Sequence, residues 1–473
     1  MSVRASLLRG FGCLLLAALV HRAVPGPDAL RAGLAVFVLI GGLWTTQALH
    51  LSVTALLVPL LAVLTGLLDL RAALASFAHP VIFLFLGGFA LAAALQQQGL
   101  DRRLASAVLR LSAGRRGRAV ALLFGLTALL SMWISNTATA AMMLPLALGL
   151  LNDEDGPGER AFVLLGVAYS ASIGGIGTLV GSPPNAIAAA NAGIGFAEWL
   201  RIGVPLVLVL LPLMAATLYV MLRPRLAGGL AGPDAATPSQ APASPRAPTP
   251  SPAPSQTPAR PPAPATGWTR AQRITVVVFG LTAAGWIGAA PLGRALGIAA
   301  DVDSAVAVAA IVALVAGGAI GWPEIERRTH WGVLLLFGGG LALSEVMAVS
   351  GASRFLAGAL TAALQGASTV VVVLGVVTFV VFLTELVSNT ASAALLVPVF
   401  MGVATAMGLP PPLFAAAIAV SASCAFMLPV ATPPNAIVYA TEQVPQATMM
   451  RCGFVLNLVC IAVITAVAVG VLG

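Results

Sequence analysis

Ser135-Asn136-Thr137 recurs as Ser388-Asn389-Thr390, 253 residues further along the chain. A second motif recurs at nearly the same distance, since Ser182-Pro183-Pro184-Asn185 matches Thr432-Pro433-Pro434-Asn435 at an offset of 250. We call these the SNT and PPN motifs. Matches in the same order at a nearly constant offset indicate an internal repeat. The chain is therefore predicted to consist of two related halves, each with one SNT and one PPN motif.

The composition places most of the chain in a lipid bilayer. Of the 473 residues, 59% are hydrophobic and only 8% are charged, whereas soluble chains carry about 25% charged residues. Apolar stretches of about 20 residues, each long enough to cross a bilayer, recur along the sequence. The predicted fold class is an all-α integral membrane protein.

The charged residues and cysteines exclude several classes of protein. The net charge is +8, and all 24 basic residues are arginine. In a membrane protein such residues mark the cytoplasmic loops, so no nucleic-acid partner is expected. The four cysteines have neither metal-site nor disulfide spacing, and the sequence contains no HExxH, P-loop or nucleophile-elbow pattern. We therefore expect neither an enzyme nor a resident cofactor.

A segment rich in proline and alanine separates the two halves, with twelve prolines between Pro233 and Pro264. This composition is typical of a disordered linker. The predicted organisation is a first transmembrane helix at 1–30, a first repeat at 31–225, a cytoplasmic linker at 226–267 and a second repeat at 268–473.

The distribution of arginines decides between two topologies. Either the segments around the SNT motifs cross the membrane, or each one, at about 118–150 and about 368–406, enters and returns as a re-entrant hairpin. The hairpin topology has about 11 transmembrane helices and leaves only six of the 24 arginines on the outer side: Arg22, Arg31, Arg71, Arg201, Arg294 and Arg354. Crossing segments divide the arginines more evenly, so the positive-inside rule favours the hairpins.

This topology predicts a multi-pass protein of the plasma (inner) membrane, with a cytoplasmic N-terminus and a C-terminus outside. After the first helix each half contributes five spans. Five is odd, so the repeats are inverted in the membrane, as in alternating-access transporters. Segments 161–199 and 411–446 are too long for one plain helix and are predicted to break at the PPN motifs. Two glycine-rich segments, Gly87-Gly88 and Gly338-Gly339-Gly340, are predicted to serve close helix packing.

The two motifs predict helix starts that meet inside the membrane. The SNT side chains can cap the helix that follows, and the PPN proline starts a helix after a residue that avoids the α region. Asn185 and Asn435 are predicted to tie the broken turns together. Four helix N-termini together carry about two positive charges, which favours a divalent anion without a buried arginine. Facing helix C-termini offer carbonyls that favour Na⁺.

The motifs resemble those of the divalent anion:sodium symporter family, the sodium/sulfate and sodium/dicarboxylate cotransporters. The similarity covers nearly the whole chain except the linker, and its matching stretches are Ser135-Asn136-Thr137-Ala138-Thr139, Ser388-Asn389-Thr390-Ala391-Ser392, Gly181-Ser182-Pro183-Pro184-Asn185 and Ala431-Thr432-Pro433-Pro434-Asn435. The resemblance implies a homodimer whose protomers each have a scaffold and a mobile transport domain. It also implies elevator-type alternating access driven by a sodium gradient.

The resemblance further implies the ligands. One sodium site would consist of Ser131, Ser135, Asn136 and Gly181, and the other of Thr384, Ser388, Asn389 and Ala431. The predicted anion site consists of Ser135, Asn136, Thr137, Ser182, Ser388, Asn389, Thr390, Thr432 and Pro433. Ser131 and Thr384 each precede a motif serine by four residues, about one helical turn, which agrees with these sets.

Sodium-coupled import of a small divalent anion, with a C4-dicarboxylate such as succinate as the leading candidate, is the predicted function. A sodium-independent anion exchanger and a sulfate-, citrate- or arsenite-type permease stay open as alternatives. A membrane-embedded sensor is disfavoured, because no cytoplasmic kinase or response domain is evident. Glu345 and Glu385 are intramembrane acids that could couple transport to protons or bind helix ends.

Overall fold

The computed structural model describes residues 3–225 except 153, and residues 267–472 except 299, 364 and 365. Residues 226–266 of the predicted linker lie outside this described part. The described residues form 22 α-helices, two short 3₁₀ turns and no strand. The predicted all-α class is therefore confirmed.

The helices follow one another in a similar order in the two halves. In the first half they are α1 (Val3–Ala23), α2 (Asp28–Thr46), α3 (Leu51–Leu64), α4 (Leu70–Ala75), α5 (Pro80–Gln97), α6 (Leu100–Arg110), α7 (Arg116–Ser131), α8 (Asn136–Gly149), α9 (Pro157–Gly174), α10 (Pro183–Ala192) and α11 (Phe196–Leu222). In the second half they are α12 (Arg270–Ile287), α13 (Ala289–Leu296), α14 (Val302–Ala316), α15 (Trp322–Arg328), α16 (Trp331–Val349), α17 (Ala352–Ala363), α18 (Thr369–Thr384), α19 (Asn389–Ala406), α20 (Pro411–Ala422), α21 (Pro433–Tyr439) and α22 (Gln446–Leu472).

Many of these helices can cross a bilayer. Among the described residues, seven segments are long and apolar enough on their own: α1, α2, α4 with α5, α11, α16, α19 and α22. The protein is thus a multi-pass membrane protein. The predicted spans at 51–69 and 304–321 correspond to the shorter apolar helices α3 and α14. Helix α19 is long enough to span, although the prediction assigns it to a hairpin. The number of eleven spans and the re-entrant hairpins therefore stay predictions.

The predicted breaks at the PPN motifs are confirmed, because α9 and α10 divide the first long segment and α20 and α21 divide the second. Before each second part, Ser182 (φ −143°, ψ 136°) and Thr432 (φ −138°, ψ 148°) are extended. A residue before proline avoids the α region, which explains this conformation. Pro183 and Pro433 then occupy the first helical turn, where a missing N–H loses no partner.

One predicted span is wrong in its extent. The sequence predicts a helix over 272–291, but α12 ends at Ile287 and α13 continues at an angle of 87° to it. Pro291 has no N–H to donate to the carbonyl of Ile287, and that bond would continue the helix. Gly288 lies at the corner between the two helices. The chain therefore turns before the predicted span is complete.

Helices of the two halves pack against each other in equivalent pairs, α5 on α14 and α16 on α3. A Cβ at Gly87 of α5 would lie 2.6 Å from the Cβ of Ala307, and one at Gly339 of α16 would lie 2.6 Å from that of Ala55. Close-packed interiors leave no room for such an atom. The glycine-rich segments therefore serve close helix packing, as predicted.

Candidate functional site

Each broken helix continues after its PPN motif as a short helix, α10 or α21, that packs against helices of the other half. Helix α10 of the first half packs on α19 and α20, and α21 of the second half packs on α8 and α9. Ser182, before α10, consequently lies beside Ser423 at the end of α20, with 3.3 Å between their hydroxyl oxygens. Asn136 at the start of α8 also lies near the Gly181 carbonyl just before α10, so the starts of α8 and α10 are close to each other and to the end of α20.

Each break is closed by the asparagine of its PPN motif. Asn185 Nδ2 donates to the carbonyls of Gly175 (2.9 Å) and Thr178 (2.8 Å). Asn435 Nδ2 donates to the carbonyls of Ala425 (3.2 Å) and Leu428 (3.0 Å), which lie 250 residues after Gly175 and Thr178. The predicted role of both asparagines is confirmed, since a buried carbonyl in a broken turn needs such a donor.

Ser131, Asn136, Ala171 and Gly181 form a first oxygen cluster. The buried Ser131 hydroxyl lies 2.6 Å from the Ala171 carbonyl oxygen. In the amide orientation that gives its nitrogen acceptors, Asn136 Nδ2 lies 2.7 Å from Ser131 Oγ, 3.2 Å from Ala171 O and 3.3 Å from Gly181 O. One hydroxyl and two backbone carbonyls therefore converge on a single polar group.

Thr384, Asn389 and Ala422 form a second oxygen cluster, which repeats the first at offsets of 251 to 253. Thr384 Oγ1 lies 2.7 Å from Asn389 Oδ1 and 2.8 Å from Ala422 O. The predicted ligand Ala431 belongs to the loop that follows α20, where its N–H donates to the Leu428 carbonyl (3.1 Å). Asn136 and Asn389 thus each contact an equivalent hydroxyl, of Ser131 or Thr384, which in turn bonds an equivalent alanine carbonyl.

The two motif serines differ. Ser135 Oγ accepts a hydrogen bond from the N–H of Ala138 (3.3 Å) and caps α8. Ser388 makes no side-chain bond to the start of α19. The predicted capping by the SNT motif is therefore seen for the serine of the first copy and not for that of the second.

The other predicted anion ligands differ in exposure. Thr137 and Pro433 are exposed, and Thr390 is half-buried. Ser182 and Thr432 are buried, and Thr432 Oγ1 accepts a hydrogen bond from the N–H of Asn435 (3.3 Å). Thr137 and Pro433 are therefore the exposed members of the predicted anion set, whereas the two residues before the PPN prolines lie beneath the surface.

Sequence reasoning missed a third repeated motif, Ser170-Ala171-Ser172, which recurs as Ser421-Ala422-Ser423 at an offset of 251. Its alanines supply the carbonyls of the two oxygen clusters. Several buried hydroxyls around them have no hydrogen-bond partner in the described part of the chain: Thr139, Ser170, Ser172, Ser392 and Ser421. The constant offset was the signal that could have revealed this motif.

No lysine or arginine lies in the segments that build this region: 131–139, 170–190, 384–392 and 421–438. Negative charge there would be met by helix N-termini and hydroxyls, which suit an anion.

The two predicted acids are separated, since Glu345 is exposed on α16 and Glu385 is buried beside the second cluster. Glu385 accepts hydrogen bonds from the loop after α20, which agrees with the predicted alternative of binding a helix end.

Replacing Gly181 with alanine is expected to damage the first oxygen cluster. The Cβ of the new alanine would lie 2.6 Å from the carbonyl oxygen of Gly175. This oxygen belongs to the backbone and cannot move aside as a flexible side chain could. Overpacking of this kind costs about 1–3 kcal/mol, or roughly 5- to 150-fold in an affinity. The measurement is the sodium dependence of uptake. Gly125→Ala is the control, because nothing lies within 4 Å of its added Cβ, and an equal loss in that variant would contradict the steric explanation.

Comparisons with known proteins agree with this architecture. Residues 41–415 match the model of a family described as citrate transporter. The chain is 45% identical over 451 residues to an uncharacterized transporter of Haemophilus influenzae, covering 93% of this chain and 92% of that protein. It is 32% identical over 463 residues to the sodium-dependent dicarboxylate transporter SdcS of Staphylococcus saprophyticus, covering 92% of this chain and 84% of that protein.

A solved structure shares the fold. The YdaH transporter of Alcanivorax borkumensis superposes with a TM-score of 0.53 at 17% identity, over 84% of this chain and 86% of that one. At this identity the likeness concerns the fold alone. The family match and the 32% identity to SdcS confirm the predicted relationship to the divalent anion:sodium symporters. The chain therefore belongs to the citrate transporter family and is a membrane transporter, not an enzyme.

Proposed function

We propose that this protein imports a small divalent anion, with a C4-dicarboxylate such as succinate as the leading substrate, and couples the import to Na⁺. The observation that carries the proposal is the duplication of the oxygen cluster around Asn136 and Asn389. The relatedness to a protein named as a sodium-dependent dicarboxylate transporter supports it.

The first cluster fits a sodium ion chemically. Hydroxyl and carbonyl oxygens are the ligands that unwound helices offer to Na⁺. Here Ser131 Oγ, Ala171 O and Gly181 O surround the amide nitrogen of Asn136. In the proposal, the ion replaces that nitrogen as the positive partner of the three oxygens, and the amide turns to present its Oδ1. Cation binding at this cluster would thereby fix the orientation of the SNT motif.

The anion would bind between the two clusters. The starts of α8, α10 and α19, together with the short α21, carry partial positive charge. The segments that build this region contain no arginine that could bind the anion instead. Thr137 and Pro433 are exposed and Thr390 is half-buried, so these residues are the first contacts proposed for the carboxylates. Bound Na⁺ would add positive charge on either side, which couples the two ligands.

Alternating access follows from the proposed inversion of the repeats. Helix α10 contacts α5 and α16, whereas Pro433, Ala436 and Tyr439 of α21 are exposed. With a cytoplasmic N-terminus, α21 ends at the cytoplasmic face, so this arrangement corresponds to a state open to the cytoplasm. Elevator-type movement of the broken helices against α5 and α16 in each protomer of a homodimer is the mechanism we favour.

Citrate is a second candidate substrate, since the family model that matches most of the chain is described as citrate transporter. The site is made of short hydroxyl and amide groups, and the same groups can hold two of the carboxylates of citrate. Import without sodium, or exchange of one anion for another, is the further alternative.

Uptake into proteoliposomes tests the proposal. Initial rates of labelled succinate uptake are measured in NaCl and in choline chloride, with unlabelled malate, citrate or sulfate as competitors. We expect uptake only in NaCl and strongest competition by malate. Equal uptake in both salts would reject sodium coupling, and competition by citrate alone would assign the protein to citrate.

A further inference from the structure

Glu385 follows directly on Thr384 of the second cluster, but its side chain turns to a different part of the site. The residue is 4% exposed. Its Oε1 accepts hydrogen bonds from the N–H groups of Phe426 (2.7 Å) and Met427 (2.9 Å), and its Oε2 accepts one from Leu428 (3.1 Å). These N–H groups belong to the break between α20 and α21, so no helix supplies them with acceptors.

A fourth donor comes from the last helix. Asn457 Nδ2 of α22 donates to Glu385 Oε1 at 2.8 Å. Helix α22 can approach because Gly453 has no side chain, and a Cβ there would lie 2.3 Å from the carbonyl oxygen of Phe426. The carboxylate therefore joins the hairpin helix α18, the break and α22 at one buried point.

The same break supplies backbone to the proposed cation site. Asn435 Nδ2 donates hydrogen bonds to the carbonyls of Ala425 (3.2 Å) and Leu428 (3.0 Å). The Glu385 carboxylate accepts hydrogen bonds from the N–H groups of residues 426–428. The break begins at Ala422, whose carbonyl bonds Thr384. Because both its donors and its acceptors are engaged, the conformation of this loop depends on Glu385 as much as on Asn435.

The first half builds its break without a carboxylate. The residue equivalent to Glu385 at the offset of 253 is Met132. There the loop is held by the indole N–H of Trp199, which donates to Ile176 O (2.9 Å), and by the hydroxyl of Thr178, which donates to the Met132 carbonyl (2.5 Å). That loop is also rich in glycine, whereas residues 424–432 contain none. The two breaks therefore reach a similar shape by different means.

We propose that Glu385 is a positioning residue for the second cation site, and that cation binding in the second half depends on its contacts with residues 426–428. This inference rests on the proposed sodium coupling. It predicts a specific change. Loss of the carboxylate weakens Na⁺ binding, whereas the anion, which contacts the SNT and PPN motifs, is affected little once Na⁺ is saturating.

The test compares Glu385→Gln with Glu345→Gln, the same chemical change at an exposed acid on α16. In Glu385→Gln one acceptor becomes an amide NH₂ that faces backbone N–H groups. We expect a roughly tenfold rise in the half-saturating Na⁺ concentration for succinate uptake, because buried donors lose their acceptor. The KM for succinate at saturating Na⁺ should change by less than about threefold. Glu345→Gln should match the wild type in both quantities.

A second readout needs no transport. The melting temperature of the detergent-purified protein is measured against NaCl at constant ionic strength, with choline chloride as the replacement salt and no dicarboxylate present. A ligand that binds only the folded state raises this temperature, so Glu385→Gln should need about tenfold more Na⁺ for the same rise. A purely structural defect would lower the melting temperature equally in both salts and leave the Na⁺ midpoint unchanged.

The outcomes separate the two proposals. A wild type that responds to Na⁺ and a Glu385→Gln variant with the same Na⁺ midpoint would overturn the assignment of Glu385. A wild type that transports succinate without any response to Na⁺ would overturn sodium coupling, and the inference with it. If Glu385→Gln does not fold, Asn457→Ala decides, since it keeps the carboxylate and removes only one donor. We expect a roughly threefold shift of its Na⁺ midpoint, and no shift would overturn the inference.

Discussion

Alanine in place of Asn136 or Asn389 is expected to reduce succinate uptake by about two orders of magnitude while leaving the protein folded. Each amide bridges an SNT motif to a helix end of its own half, through Ser131 and Ala171 or through Thr384. Removal of the amide takes a partner from the buried hydroxyl of Ser131 or Thr384, which costs about 1–3 kcal/mol, or roughly 5- to 150-fold in rate. Loss of the proposed ligand oxygen would add to this.

The control is Asn191→Ala. Asn191 Nδ2 donates to the Ile187 carbonyl within α10 and contacts neither cluster, so the same side chain is removed away from the site. Initial uptake rates per folded protein are compared, with folding checked by the melting temperature in detergent. If Asn136→Ala and Asn389→Ala both transport at the rate of Asn191→Ala, the proposed binding site is wrong.

Replacing Arg116 with methionine is expected to destabilise the protein strongly. Arg116 starts α7 and forms a bidentate ion pair with Asp155. The Arg116 side chain is 5% exposed and that of Asp155 is 8% exposed. The nearby Arg160 donates to the Asp155 carbonyl (3.0 Å) and to Gln443 Oε1 (2.9 Å), which links the loop before α9 to the loop after α21. Breaking a buried pair leaves an uncompensated charge and costs about 3–5 kcal/mol.

The matched control is Arg327→Met, because Arg327 pairs with Glu324 on α15 with 74% of its side chain exposed. Exposed pairs contribute about 0–1 kcal/mol. We therefore expect a melting temperature lower by about 3–5 °C in Arg116→Met and almost unchanged in Arg327→Met. A similar small shift in both variants would contradict a structural role for the buried pair.

The buried pair also predicts a pH dependence. Burial alone would raise the pKa of Asp155, but the hydrogen bonds and charge of Arg116, with the N–H of Asn152, outweigh it and hold the pKa below the ordinary value of 3.8. The stabilisation is therefore fully present above about pH 4 and is lost as the pH falls further. Acid should lower the melting temperature of the wild type more than that of Asp155→Asn. Parallel acid curves for the two proteins would count against this assignment.

Much of the fold could be predicted because repeated motifs mark repeated structure. The constant offset between the PPN motifs located both broken helices, and the proline rule explains the extended Ser182 and Thr432. The SNT motifs located Asn136 and Asn389, which contact the equivalent hydroxyls of Ser131 and Thr384. These features depend on side-chain type and spacing, which the sequence displays directly.

The features that were missed depend on backbone and on packing between the halves. Ala171 and Ala422 contribute carbonyls, and any residue has a carbonyl, so the residue type carries no signal. Pro291 ends the predicted helix over 272–291 through a missing hydrogen bond rather than through a change in hydropathy. Glu385 was recognised as unusual, but its four donors come from a loop and a helix far away in sequence. The partner exchange of α10 and α21 likewise has no local signature.

The most direct test of the central claim, that anion import is coupled to sodium, is accumulation against a gradient. Proteoliposomes filled with potassium buffer are diluted into sodium buffer with labelled succinate, and the internal concentration is followed before and after a sodium ionophore is added. The account predicts that internal succinate rises above the external concentration and falls back when the ionophore collapses the sodium gradient. Succinate that only equilibrates, with or without the gradient, would contradict it.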